Sequence, residues 1–433
     1  MTNFHRSLNP YLIFASSLCL GATVQGCFSG SDDTHVYEED STSSGRSKTS
    51  GADPNGPCVK SGPIKASETW SPETCPGGVR LTALVEVNSP AELTIAPGTV
   101  VKGDSEGLLR ILPSAALIAR GTPDKKIVFT GWQQKSGSWL GLSIRSNNAK
   151  NVMSFAVVEN VGGPDVAAGI RLQSERSQSG SLELTDAEIR GSTRFGLYLD
   201  SAAHFTKFER VDIHDNQDGA AWAEAPAVSA LRGVGNTFHG NGPSNLVRIE
   251  GGILLPITQD ASWPDLSPAI YRVGGRDGGA MVYINAHLTI DAGAVFEMVG
   301  GSSLAVDGGA SGLSAVGTAS RPIVFRGISE SGWAGVTFSD STWAKNRLEY
   351  VHIHNATRAP ESHVAGTASS SFRYPSVLVG GMPGIGTFLA LSNVAFHGPN
   401  AAVVDVAATK RGTLAIEGSN TGAAGGDITV ERF

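Results

Sequence analysis

Apolar and polar residues alternate along this chain in short runs, and Gly, Asn, Asp or Ser interrupts almost every run. In Val211-Asp212-Ile213-His214 an extended backbone puts Val211 and Ile213 on one side and Asp212 and His214 on the other. This period of two predicts β-strands, and few stretches carry the 3.6-residue period of a helix. Several runs end alike. Ile189-Arg190-Gly191-Ser192, Ile213-His214-Asp215-Asn216 and Phe238-His239-Gly240-Asn241 follow at intervals of 24 and 25 residues. Val158-Glu159-Asn160, Ile353-His354-Asn355 and Phe396-His397-Gly398 share the ending. A period in the twenties predicts stacked coils. One coil cannot bury its apolar side alone, whereas stacking at a strand spacing of about 4.8 Å closes a continuous core. A β-sandwich tandem would need antiparallel strands and hairpin turns, which the in-step endings do not suggest.

A longer repeat lies over the short one. Pro63-Ile64 and Trp70 are answered by Pro256-Ile257 and Trp263. Leu93-Thr94-Ile95 is answered by Leu288-Thr289-Ile290, Gly121-Thr122 by Gly317-Thr318, Ile127-Val128-Phe129 by Ile323-Val324-Phe325, and Trp139-Leu140-Gly141 by Trp333-Ala334-Gly335. The offset drifts only from 193 to 196. The pattern predicts two tandem modules, 62–254 and 255–433. The run Leu93 to Val101, Gly121-Thr122, Ile127-Val128-Phe129, Trp139 and Gly141 resembles bacterial right-handed parallel β-helix repeat proteins. The resemblance covers about residues 62–433 and implies an all-β, right-handed parallel β-helix. Many such proteins are lipoproteins or secreted surface proteins, so it speaks to architecture more than to chemistry.

The start of the chain reads as a targeting segment. His5 and Arg6 precede an apolar core, Tyr11 to Leu20, too short to span a bilayer comfortably. Val24-Gln25-Gly26-Cys27 resembles a bacterial lipoprotein signal, which implies a signal peptide over 1–26 and acyl chains on Cys27. Each buried CH₂ would add about 0.8 kcal/mol of membrane attachment. Phe28, where the enterobacterial sorting rule uses Asp to retain a lipoprotein at the inner membrane, favours the outer membrane or cell surface. An ordinary cleaved signal is the alternative. Residues 27–61 are polar and rich in Ser, Gly and Asp, so they predict a tether with a reach of roughly 30 Å. Cys58 and Cys75 remain as an even pair in an oxidising compartment, and a bridge between them would contribute about 3 kcal/mol.

Composition adds exclusions. Charged residues make up 17% of the 433 residues and the net charge is −7, spread along the chain, so nucleic acid is not an expected partner. No nucleophile elbow, phosphate-binding glycine loop or paired zinc motif is present. Stacking predicts an outward stripe of Glu159, Arg190, Asp212, His214 and His239, with Glu188 beside Arg190. His214, His239 and Asp212 are residue types that hold zinc, but a solvated face is the simpler reading, and no metal or cofactor is expected. His354 and His397 repeat the position. Asn160, Asn216, Asn241 and Asn355 suit left-handed turns and amide ladders better than sugar contacts. Trp70, Trp139, Trp263 and Trp333 suit packing between coils better than sugar stacking. Pectate lyases and polygalacturonases share the β-helix, yet the Arg-x-Pro-x-x-Arg of the former and the carboxylate sets of the latter are missing. The Asp212, Asp215 and Asp218 group reads first as a turn. The expectation is a non-catalytic, lipid-anchored surface scaffold that binds polysaccharide or another envelope protein. A β-helix lyase or hydrolase and a structural envelope subunit are the alternatives.

Overall fold

Alternation builds the walls of the molecule. In Val351–His354, Val351 and Ile353 are buried and His352 and His354 face outward; Asp212–His214 has the same arrangement around a fully buried Ile213. The computed structural model describes residues 56–163, 168–175, 178–275, 278–328, 332–356, 375–380, 386–398 and 404–432. Cys27, the signal segment and the tether up to residue 55 lie outside the described residues. The chain forms a parallel β-solenoid, as the period predicts, and among the described residues the only helix is a short 3₁₀ turn, Ala225–Leu231. The first strand, Cys58–Ile64, begins inside the stretch read as tether and is bridged to Cys75 by the expected disulfide.

Three walls surround the core of the first half. The first carries Glu92–Ile95, Ala116–Arg120, Val152–Ser154, Ser181–Thr185 and His204–Glu209. The second carries Val100–Gly103, Ile127–Gly131, Ala156–Glu159, Glu188–Arg190, Asp212–His214 and Thr237–His239. The third carries Leu108–Ile111, Leu142–Ile144, Ala168–Leu172, Phe195–Leu199, Gly219–Glu224 and Leu246–Glu250. The corner between the second and third walls explains the shared endings. Asn160, Gly191, Asp215 and Gly240 all have positive φ there, as has Asn355 after the later strand Val351–His354, a conformation that Gly, Asn and Asp adopt at least cost.

The four asparagines therefore split into two kinds. Asn160 and Asn355 make the left-handed corner, while Asn216 and Asn241, one residue further on, are fully buried. Asn216 Nδ2 donates to Asn241 Oδ1 at 2.9 Å, and Asn241 Nδ2 donates to the Ile213 carbonyl at 2.7 Å. Buried amides in such a ladder satisfy backbone groups the corner leaves unpaired. The four tryptophans are core residues. Trp139 Nε1 donates to the Glu159 carbonyl at 2.8 Å and Trp333 Nε1 to the His354 carbonyl at 2.9 Å. Both bonds fix the backbone behind an outward charged or imidazole side chain.

The third wall runs unbroken past residue 254. Leu246–Glu250 pairs in parallel with Ile270–Val273, and the ladder continues through Val295–Met298, Ile323–Gly327, Val351–His354 and Ala395–His397. The described part of the chain lies in one compact unit. The repeat matches Ile323–Gly327 with Ile127–Gly131, a second-wall strand, yet it stacks in the line of the third wall. The sequence repeat and the strand stacking are thus one wall out of phase. At the other end, Val430–Arg432 adds a parallel rung to Val406–Ala408. The segment that could have covered the end extends it instead, and its residues stay exposed.

Candidate binding columns

Parallel register puts equivalent outward residues directly above one another, so each wall carries a column of side chains. The second wall brings the predicted stripe together. Glu159 faces Arg190, Arg190 faces His214, and His214 faces His239, with Glu188 and Asp212 paired two positions earlier. Arg80, Lys102 and Thr130 extend this line at the other end, beyond what the shared endings revealed.

Every charge in the predicted stripe has a partner. Arg190 bonds Glu159 at 2.8 Å and also Glu188. His214 Nε2 lies 3.1 Å from Glu188 and Nδ1 lies 2.8 Å from Asp215. His239 Nε2 lies 3.0 Å from Asp212, which also accepts from the Thr237 hydroxyl at 2.6 Å. The two rings stack with centroids 5.0 Å apart. Burial disfavours charge on His214, but hydrogen bonds to Asp215 and Glu188 and the charge of Asp212 outweigh it, and the pKa is raised. The zinc-type set weighed from sequence has its donor atoms engaged by carboxylates. Asp218 turns to Arg194 at 2.8 Å, so Asp212, Asp215 and Asp218 do not converge.

The third wall carries the feature that sequence reading missed. Register aligns Glu86, Arg110, Ser143, Arg171, Tyr198, Trp222, Arg248, Arg272, Glu297, Arg326, His354 and His397 in one outward column. Arg110 pairs with Glu86 at 2.9 Å, and the neighbouring Arg145 pairs with Glu175 at 2.9 Å. Arg171 meets no carboxylate among the described residues and donates to the Leu140 carbonyl at 3.1 Å. Burial, then the charges of Arg110 and Arg145, lower its pKa to about 10, which still leaves it cationic at neutral pH. Next to it, Tyr198 and Trp222 meet edge to face at 5.1 Å, and the Arg248 guanidinium lies 4.5 Å from the Trp222 ring. Among the described residues, Nε of Arg110, Arg171 and Arg248 and Nε1 of Trp222 are buried with no hydrogen-bond partner. Four such buried donors in one line are costly unless ordered water accepts from them. No shared ending marks these positions, because residue type changes at almost every rung.

The column ends in histidines. His354 and His397 stack at 4.1 Å, and His352 stands two residues before His354 on the same outward face. Burial, then His397, His352 and Arg326, lower the pKa of His354 to about 4, and burial with His352 lowers that of His397.

Among the described residues, two clefts of different size bear on these walls. The larger, about 810 Å³, lies where the repeat changes phase, between Ser201–His204, the 3₁₀ turn and Leu254–Ala261; His204 and Asp260 are its titratable side chains. The smaller, about 350 Å³, is lined by Lys126, Asp186, Glu188, Arg210 and Asp212. Asp186 is held by Arg210 at 2.6 and 2.8 Å, and that hydrogen bonding lowers its pKa. No protein-family model matches the chain, and neither a curated protein nor a solved structure matches it.

Proposed function

We propose that the chain is a lipid-anchored envelope protein that holds an acidic polysaccharide along the third wall without cleaving it. One observation carries this reading: Arg171, Tyr198, Trp222 and Arg248 stand on successive rungs of the column, and Arg171 has no carboxylate partner among the described residues, whereas Arg110, Arg248, Arg272 and Arg326 are each paired with a glutamate. Guanidinium groups form paired hydrogen bonds to carboxylate or sulfate, and aromatic faces accept sugar rings. A repeating polyanion suits a column whose rungs recur at about 4.8 Å. The lipobox and tether would place this face outside the membrane.

The absence of cleavage rests on the carboxylates. Hydrolysis needs one protonated and one ionised carboxyl group across the scissile bond. In the smaller cleft Asp186, Glu188 and Asp212 each bond a cationic or imidazole partner. That arrangement favours a wall over an active site.

The test incubates the full chain, in detergent, with acidic and neutral polysaccharides, with and without calcium. The reading predicts retention of the acidic polymers, none of the neutral ones, and no new reducing or unsaturated ends. Arg171→Gln and Trp222→Ala should each weaken retention about tenfold. New ends that vanish on Asp212→Ala or Asp215→Ala would establish an enzyme instead. Retention of no polymer overturns the reading and leaves a structural envelope subunit, which pull-down of an envelope protein would identify.

A further inference from the structure

We infer that His352, His354 and His397 form a binding site for a divalent transition-metal ion of the zinc class. Their candidate donor atoms all lie within 4.8 Å of one another. Three nitrogens on one zinc ion, each about 2.0–2.1 Å from it, sit roughly 3.4 Å apart. Small rotations of the rings close that difference, and His397 is exposed enough to make them.

The backbone is already set for the task. His354 and His397 face each other on adjacent parallel strands, and His352 shares the outward side of the His354 strand. The Trp333 indole holds the His354 carbonyl at 2.9 Å, and the Asn355 amide holds the His397 carbonyl at 2.8 Å. The ligand positions therefore sit on rigid elements rather than on a loop, as precise metal sites require.

The second-wall histidines show why this cluster differs. There, carboxylates occupy both nitrogens of His214 and one of His239. Among the described residues, no hydrogen bond occupies a ring nitrogen of His352, His354 or His397. The nearest charged neighbour in the column, Arg326, is itself paired with Glu297 at 3.0 Å and offers no acceptor. Three imidazoles with free nitrogens suit zinc, copper, nickel or cobalt rather than magnesium or calcium, which take oxygen. Three protein ligands leave a fourth position for water.

The site is tested by titrating the full chain, stripped with chelator, with Co(II) and following its visible ligand-field absorption, then displacing it with Zn(II). The expected result is saturable binding of one ion per chain and a rise in thermal midpoint with Zn(II). His354→Gln and His397→Gln should each weaken binding roughly 100-fold, while the His214→Gln, His239→Gln double variant binds like the parent. Circular dichroism of the metal-free variants guards against misfolding, and exposed His397 can change without disturbing the core. No saturable binding, or unchanged binding by a folded His397→Gln chain, overturns the inference.

Discussion

The second and third walls carry outward columns of the same geometry but opposite character. On the second wall Glu159, Arg190, Glu188, His214, Asp212 and His239 bond one another, so the face is self-contained. Among the described residues of the third wall, Arg171 lacks an acid, Trp222 Nε1 is unpaired, and no hydrogen bond occupies a ring nitrogen of His352, His354 or His397. The backbone spacing is common to both. What separates them is whether an outward residue meets its complement one rung away. A column that is satisfied internally is a structural surface, and a column with unmet donors and acceptors is where a ligand gains most.

The largest expected effect concerns what the columns share. Ile213 and Ile353 are inward neighbours of His214 and His354, and both are buried. Replacing either with Ala should cost about 3 kcal/mol in urea unfolding, by lost burial and the cavity left behind. Costs that differ widely between the two would place the contrast in the core rather than on the outer faces.

A smaller effect should appear where the third wall does balance its charge. Glu297 is 11% exposed and bonds Arg272 and Arg326 together. Glu297→Gln should destabilise the chain by about 2 kcal/mol, because two guanidiniums then share a face without their anion. Glu159→Gln, which leaves Arg190 still paired with Glu188, should cost about 1 kcal/mol. Equal costs would mean that the column is less charge-limited than its geometry implies.

Much of the architecture was legible from the chain. Alternation in Val211 to His214 gave the strand faces, and the endings at Asn160, Asp215 and Asn355 marked the left-handed corners. The Cys58–Cys75 bridge followed from cysteine count and spacing. The predicted stripe was also readable, because its members sit at one offset from a repeated corner. The third-wall column was not. Its rungs change residue type from Arg171 to Tyr198 to Trp222, and coils of unequal length hide their common register. The one-wall phase change was hidden too, since sequence repeats report which strands are alike and not which ones stack. His354 and His397 were visible as repeats of His214 and His239, but their chemistry depends on neighbours. His352, Val324 and Asn355 stand where the second wall has Asp212, Glu188 and Asp215.

That substitution has a pH signature. The raised pKa of His214 gives stability that is full below its unfolded value and is lost as pH rises through the folded one. For His354 the folded state binds fewer protons than the unfolded state, so stability falls as pH drops from 6.5 through about 4. The most direct measurement is an NMR titration of ¹³C-labelled histidine rings in the full chain under chelator, assigned with His214→Gln and His354→Gln. The account predicts that the His214 ring titrates above 6.5 and the His354 ring near 4. Coincident titrations at the ordinary value, or the reverse order, would contradict the claim that neighbours one rung away set the chemistry of each column.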